Sequence, residues 1–239
     1  MKLTLNFSLI FITILSTNLK AQLELDFRRA KFGFILGPNF SKVHHAHNPS
    51  SHRYSFFMGA FTRIPVGIFC SCENPNFYIQ PQIEYIQTGE KGGKNTLYAN
   101  NFLSIPIYFK TYPIEFNEQN YLFVQAGPRF SFLVNQNVKN PPLGRPYDIS
   151  QDGKANNFDF SISFASGISF GARKNELLFR YDYSFSNSYP YLDEYLATGD
   201  PNARLRKIQH IVSIAYSRTI FNKKKKITNI NSVLNKKIR

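Results

Sequence analysis

The sequence contains no tryptophan, only two cysteines and no long apolar run after its first residues. A helix that spans a bilayer needs about 20 mostly apolar residues, so the part of the chain beyond residue 22 offers no such helix. Cys70 and Cys72 supply half of the four ligands that a tetrahedral metal site uses, and no second pair exists. We therefore expect these cysteines to form either a strained disulfide or two free thiols in a turn.

Acidic residues are scarce beside basic ones, and the formal net charge is +14. Much of the excess lies near the two ends of the chain, in Lys2, Lys20, Lys223, Lys224, Lys225, Lys226, Lys236, Lys237 and Arg239. The body of the chain is only modestly basic, so we predict no nucleic-acid partner. Residues 222–239 are predicted to form a basic, disordered tail, with binding to anionic lipid or to a periplasmic envelope partner as the alternative.

The first 21 residues have the pattern of a secretory signal peptide. Lys2 supplies positive charge, residues 7–15 form a short apolar core, and Ala21 offers a small residue at a cleavage point. The apolar core is too short for an anchor helix that spans a membrane. We predict a signal peptide over residues 1–21, followed by one domain over residues 22–221.

Residues 158–171 alternate bulky apolar side chains with small or polar ones at period two, broken only by Ser166. Successive side chains of a strand point to opposite faces, so this segment has one apolar face and one small, polar face. It is long enough to cross a bilayer as a tilted strand, which needs about nine to eleven residues. The predicted lipid-facing side chains are Phe158, Phe160, Ile162, Phe164, Ile168 and Phe170.

Eight segments carry this pattern: 31–41, 55–68, 77–87, 102–112, 121–134, 158–171, 177–185 and 207–221. Connections between them alternate between shorter and longer, as in outer-membrane barrels with short periplasmic turns. These features predict an all-β protein: an eight-stranded antiparallel up-and-down transmembrane β-barrel with both termini on the periplasmic side. Pro65, Pro81, Pro106 and Pro128 fall within predicted strands, where we expect bulges or strand ends.

Alternation alone leaves open which face is inside, since a periplasmic calyx that binds an apolar ligand would turn its phenylalanines inward. The other face is rich in Ser, Gly, Ala, Gln and Thr, which suits the narrow interior of an eight-stranded barrel. We predict a lumen polar network formed by Glu84, Lys110, Arg129, Asp159, Arg180 and Asp182. A lumen filled in this way should conduct solutes poorly.

The sequence has 14 tyrosines and 24 phenylalanines. Aromatic side chains near strand ends are typical of the girdles that barrels place at the two membrane interfaces. We predict girdle positions for Tyr85, Tyr108, Tyr112, Tyr183 and Tyr216.

Several motifs follow one another along almost the whole mature chain: residues 33–41, FYIQPQIEYIQTG at 77–89, NFLSIPIYFK at 101–110, AGPRF at 126–130, and residues 178–184 and 209–216. In this order they resemble the small outer-membrane β-barrel proteins of the Bacteroidetes, the porin-family or PorT-like group. The resemblance implies an outer-membrane barrel of a Gram-negative bacterium and little about activity. Such barrels usually stop at a terminal aromatic residue, and Phe221 is followed here by the basic tail.

Candidate chemical sites are few. His44, His45, His47 and His52 could hold zinc or copper, although a solvated polar loop is the preferred interpretation. A lipid-modifying enzyme would have to use His210 with Asp182 or Glu84. We predict a non-enzymatic barrel without cofactor or metal, in contact with outer-membrane lipids, whose loops or tail could meet an envelope protein partner.

Overall fold

The computed structural model describes residues 24–46, 50–67, 76–92, 96–140, 154–190 and 206–222. These residues form a closed, all-antiparallel up-and-down barrel of eight strands, which confirms the predicted fold class. A two-residue strand and a short 3-10 helix, Phe27–Arg29, precede the barrel. The strands are β1 (Glu24–Leu25), β2 (Lys31–His44), β3 (Ser51–Gly67), β4 (Phe77–Lys91), β5 (Leu97–Asn117), β6 (Asn120–Lys139), β7 (Phe158–Phe170), β8 (Asn175–Ser184) and β9 (Ile208–Asn222).

The barrel closes through β2 and β9, whose ladder runs from Lys31 opposite Asn222 to His44 opposite Ile208. Each of the other seven ladders of the closed barrel joins strands that are consecutive in the chain, and β1 pairs with the end of β3 outside that ring. We call the end of the barrel with Lys31 and Asn222 the terminal rim, and the opposite end the loop rim. The terminal rim holds connections 68–76, 118–119 and 171–174, and the loop rim holds connections 45–50, 92–96, 140–157 and 185–207.

The prediction that long and short connections alternate is only partly right. The two longest connections, 140–157 and 185–207, both lie at the loop rim. Connections 45–50 and 92–96 at the same rim are shorter than connection 68–76 at the terminal rim. The reason is that β2, β3, β4 and β5 extend beyond the predicted bounds, because ladder pairing continues where the apolar alternation has faded.

The prolines within strands do not behave as expected. Pro65 lies close to the end of β3, but Pro81, Pro106 and Pro128 lie in the middle of β4, β5 and β6 without a shift in register. Strand pairing is interrupted beside them and resumes in the same register, as between Pro81 opposite Ile107 and Glu84 opposite Ser104. A proline removes one N–H donor, and the pairs on either side hold the register across that gap.

The apolar face of the alternation points out of the barrel. Along β7, Phe164 and Ile168 are 49% and 50% exposed, while Ser163 and Ser169 on the other face are fully buried. The calyx interpretation, which places the phenylalanines inside, is therefore wrong. Among the described residues, no helix has the length and apolar character needed to cross a membrane.

The interior contains more large side chains than the sequence pattern suggested. Tyr108 and Tyr112, predicted as girdle residues, are buried inside, because β5 turns its even-numbered residues inward. Glycines on the inner face make room for such side chains and for close strand contact. A Cβ atom on Gly127 would lie 1.9 Å from the backbone oxygen of Ile107. The interior apolar cluster includes Ile35, Phe57, Phe61, Tyr78, Ile86, Phe102, Tyr112 and Phe123.

Candidate functional site

A group of four buried charged residues, which we call the central cluster, crosses the barrel interior: Glu84 of β4, Arg129 of β6, and Arg180 and Asp182 of β8. Nη1 of Arg180 donates to both carboxylate oxygens of Glu84, at 2.8 and 2.9 Å. Nη1 of Arg129 donates to Oδ2 of Asp182 at 2.5 Å, and Asp182 also accepts a hydrogen bond from Ser163. Two cations and two anions are thus paired out of water, as a buried network requires.

The Glu84–Arg180 ion pair spans the lumen. In the closed order of strands, β4 and β8 are separated by three strands in both directions, so they form opposite walls of the barrel. Both side chains are fully buried. The pair therefore lies across the path that a solute would take through the barrel.

A second group, which we call the Glu176 cluster, lies closer to the terminal rim. Glu176 of β8 accepts hydrogen bonds from Nη2 of Arg63 at 2.8 Å, Nζ of Lys110 at 2.6 Å and the hydroxyl of Tyr112 at 2.6 Å. Ser217 adds a fourth at 2.9 Å. The ammonium group of Lys110 also lies 3.8 Å from the centre of the Phe123 ring, an arrangement typical of a cation–π contact.

The six charged residues predicted as one network are divided in the structure. Glu84, Arg129, Arg180 and Asp182 form the central cluster, whereas Lys110 belongs to the Glu176 cluster. Asp159 accepts a hydrogen bond from Ser184 and lies in neither cluster. The sequence pattern does not indicate Glu176, because this residue precedes the predicted strand. Arg63 is also absent from the predicted network, although it alternates with the apolar residues of β3 and could have been assigned to the inner face.

Both mouths of the barrel are narrowed by aromatic and polar contacts. At the terminal rim, Arg173 lies over the rings of Tyr112 and Tyr121, at 4.5 and 4.3 Å from their centres. Arg173 follows Gly171 and Ala172, and all three residues have positive φ. At the loop rim, Tyr189 is fully buried and its hydroxyl accepts a hydrogen bond from Asn100 at 3.0 Å.

The six apolar side chains predicted to face lipid all point out of β7. Five of them are exposed, and Ile162 is half-buried between neighbouring strands. Three of the predicted girdle tyrosines, Tyr85, Tyr183 and Tyr216, also point outward. The outer wall of the described strands is thus mainly apolar between its two rims.

The candidate chemical sites are not assembled as the alternatives required. His210 points outward from β9, where Nδ1 lies 2.6 Å from the hydroxyl of Tyr181. Asp182 and Glu84 point into the lumen, so the wall of the barrel separates them from His210. Within the part of the chain that the structure describes, no three His, Cys, Asp or Glu residues form a group that could hold a metal ion.

Several predictions concern residues outside those that the structure describes. These are the signal peptide at residues 1–21, Cys70 and Cys72, His47, and the tail beyond Asn222. The remaining histidines of the first loop, His44, His45 and His52, are exposed at the loop rim.

The sequence was also compared with known protein families and proteins. Residues 19–189 match a family model described as an outer membrane protein beta-barrel domain. No curated protein sequence matches the chain.

Three solved structures resemble this chain in fold. One is Ail, the attachment invasion locus protein of Yersinia pestis, in complex with the heparin analogue sucrose octasulfate (8% identity, 80% of this chain and 99% of that chain, TM-score 0.37). Another is Neisserial surface protein A (8% identity, 80% and 99%, TM-score 0.42). A third is the outer membrane protein OprG from Pseudomonas aeruginosa (9% identity, 81% and 97%, TM-score 0.36).

Proposed function

Because the chain belongs to the outer membrane protein beta-barrel domain family, we propose that it acts in that membrane as a closed, non-conducting barrel with a structural or interaction role. It is an outer-membrane β-barrel protein of a Gram-negative bacterium. In this role the barrel displays its loops at the loop rim, either alone or as part of an envelope or secretion assembly, and catalyses no reaction.

The observation that carries this proposal is the filled lumen. Glu84 and Arg180 join opposite walls, and Glu176 joins β8 to β3, β5 and β9. Large side chains of Tyr78, Tyr108 and Phe57 occupy the space between these groups and are fully buried. An eight-stranded barrel is only just wide enough to hold its own side chains, which leaves little room for a solute path.

The non-enzymatic part of the proposal is supported by the position of His210. A general base must lie within hydrogen-bond reach of the group that it activates. His210 lies on the outer wall beside Tyr181, away from the buried carboxylates. We propose no cofactor and no nucleic-acid partner.

We also propose the finer features that the sequence pattern indicates. Residues 1–21 act as a signal peptide, residues 22–221 form the barrel domain, and the tail 222–239 is a basic terminus able to meet an envelope partner. The six outward side chains of β7 contact lipid. The ordered motifs from residue 33 to residue 216 support a place in the PorT-like group of the Bacteroidetes.

Solute flux through reconstituted vesicles tests the closed lumen. We expect vesicles with the wild-type barrel to exclude small sugars and to carry no steady ion current. The double variant Glu84→Ala/Arg180→Ala, which shortens both side chains of the spanning pair, should raise ion conductance. Sugar uptake by the wild type at the rate of a general porin would contradict the proposal.

A second measurement tests the absence of lipid chemistry. The reconstituted protein is incubated with vesicles of outer-membrane lipid, and the lipids are then analysed by mass spectrometry. We expect their masses to remain unchanged. Loss or transfer of an acyl chain that requires the folded protein would show an enzyme.

A further inference from the structure

A row of polar side chains crosses three strands on the outer wall near the loop rim. In the ladders, Lys42 of β2 lies opposite His210 of β9, and His210 lies opposite Tyr183 of β8. The neighbours of these residues in each strand, such as Ser41, Ile211 and Asp182, are buried in the lumen. Alternation therefore places Lys42, His210 and Tyr183 side by side on the surface that faces the membrane.

Contacts around His210 hold its ring in place. The hydroxyl of Tyr181 lies 2.6 Å from Nδ1, and the ring of Tyr183 meets the imidazole edge-on at 5.2 Å between centres. The ring of His44 lies 4.4 Å from that of His210. When the Tyr181 hydroxyl donates to Nδ1, the imidazole proton is on Nε2, which is then left as a donor for another partner.

On β2 this row lies where the apolar band of the outer wall ends, while Ile208 and Phe185 extend the band beyond it beside β9 and β8. The next cross-strand row towards the terminal rim is Phe40, Val212 and Tyr181. The outward side chains of β2 beyond Phe40 in that direction are also apolar, whereas Lys42 and His44 are the last outward residues of β2 at the loop rim. Along β2 the outer wall changes from apolar to basic at Lys42, which is the change expected where lipid headgroups meet the hydrocarbon, and His210 lies opposite Lys42.

The two rims differ in charge. Among the described Lys, Arg, His, Asp and Glu residues at the loop rim, the exposed or half-buried ones are Lys42, His44, His45, His52, Lys91, Lys139, Lys154, Arg206 and His210. The carboxylates at this rim that the structure describes, Glu90 and Asp159, are buried. At the terminal rim, exposed acids such as Glu115 and Glu118 accompany the basic residues. Among the described residues, the exposed charges of the loop rim are therefore all basic, whereas those of the terminal rim are of both signs.

We propose that Lys42, His44 and His210, flanked by Tyr181 and Tyr183, form a binding site for the phosphate groups of lipid A, the phosphorylated glycolipid of the outer leaflet. Lys42 supplies a positive charge, and the histidines supply N–H donors at the depth of the phosphates. The rings of Tyr181 and Tyr183 pack against the acyl chains of the bound lipid. This inference depends on the barrel's place in the outer membrane and on the predicted orientation that puts the terminal rim on the periplasmic side, and not on the barrel's interaction role.

Lipid titration of the folded protein tests the site. Native mass spectrometry from neutral bicelles measures the affinity of the wild type for diphosphoryl lipid A and for the same lipid with its phosphates removed. We expect the triple variant Lys42→Gln/His44→Gln/His210→Gln to bind diphosphoryl lipid A about tenfold more weakly. Dephosphorylated lipid A should bind the wild type and the triple variant equally weakly.

The matched control removes charge from the other rim. Arg218 lies on β9 with His210 and is exposed on the outer wall, and Lys174 is exposed beside the terminal rim. The double variant Lys174→Gln/Arg218→Gln should keep the wild-type affinity to within roughly twofold. If the triple variant fails to fold, the wild-type comparison of the two lipids decides. The proposed site would be overturned if the wild type bound both lipids with equal affinity. It would also be overturned if the wild type and the triple variant bound diphosphoryl lipid A with equal affinity.

Discussion

Glu176 is the carboxylate that compensates two of the cations buried in the barrel. It is the carboxylate to which both Arg63 and Lys110 are paired, and its own side chain is 1% exposed. Breaking a buried ion pair by removing one partner is costly, because the other charge remains out of water without compensation. Two cations share this carboxylate, so its loss leaves both Arg63 and Lys110 buried without a compensating negative charge.

The first prediction concerns Glu176→Gln, which keeps the shape of the side chain and removes its charge. We expect the free energy of unfolding to fall by about 3–5 kcal/mol, since Arg63 and Lys110 lose their anion. Urea-induced unfolding in lipid vesicles measures the change. Glu115→Gln, at an exposed carboxylate of β5, serves as the control and should change the unfolding midpoint little. Equal effects of the two substitutions would show that the Glu176 cluster does not stabilise the barrel.

Alternation in the sequence indicates which charged side chains point inward, but it does not indicate which cation meets which carboxylate. That choice depends on strand register, tilt and the distance across the lumen. Glu84 and Arg180 meet although β4 and β8 lie on opposite walls. Lys110 meets Glu176, three strands away, while Arg129 meets Asp182. None of these separations can be read from spacing along the chain.

At the scale of elements, close strand contact depends on residues without a side chain. Gly127 lies on the inner face of β6, where an added Cβ would meet the backbone oxygen of Ile107 at 1.9 Å. Backbone atoms of a ladder cannot move aside as a flexible side chain can.

The second prediction is that Gly127→Ala lowers the free energy of unfolding by about 1–3 kcal/mol through overpacking of the β5–β6 ladder. The same urea titration measures it. Ser166→Ala, a substitution on the exposed outer face of β7, should have little effect. Wild-type stability for Gly127→Ala would mean that β5 and β6 separate at this point at little cost.

The third prediction tests the lipid-facing wall with one substitution at two depths. Phe164 lies in the middle of β7 and Phe158 begins it, and both are exposed on the outer face. Arginine on the lipid face of a barrel costs about 2–4 kcal/mol at the midplane and about 0–1 kcal/mol near an interface. Phe164→Arg should therefore reduce stability in vesicles by more than Phe158→Arg. Equal losses for the two variants would place the membrane elsewhere on the wall.

Period-two patterning was sufficient to predict every strand of the barrel, because one face meets an apolar environment along its whole length. The ends of β4 and β5 were underestimated, since Gly89, Asn100 and Asn101 dilute the pattern while the ladder continues through them. For the same reason, connection 92–96 between these two strands is shorter than predicted. The expectation of bulges or strand ends at Pro81, Pro106 and Pro128 is wrong, because the residue pairs on either side keep the strand register. The sequence around a proline does not show those pairs.

For the whole molecule, closure of the sheet determines how the protein unfolds. Every barrel strand has a partner on both sides, so the barrel offers denaturant no free strand edge.

The fourth prediction is a heat-dependent shift on a denaturing gel. We expect the unboiled protein in detergent to remain closed and to migrate differently from the boiled protein, because strand pairing resists detergent until heat breaks it. A chain that ends at residue 205, and therefore lacks β9, provides the control and should give one band with or without boiling. Identical migration of the full chain before and after boiling would contradict a closed barrel.

The ladder between β2 and β9 also has a consequence for biogenesis. The other ladders of the closed barrel join neighbours in the chain and can form as soon as two strands are available, whereas this one brings together segments separated by nearly the whole domain. Until β9 is available, β2 therefore has one unpaired edge. An open edge of this kind favours pairing with other chains, so we expect a chain that lacks β9 to aggregate rather than to close.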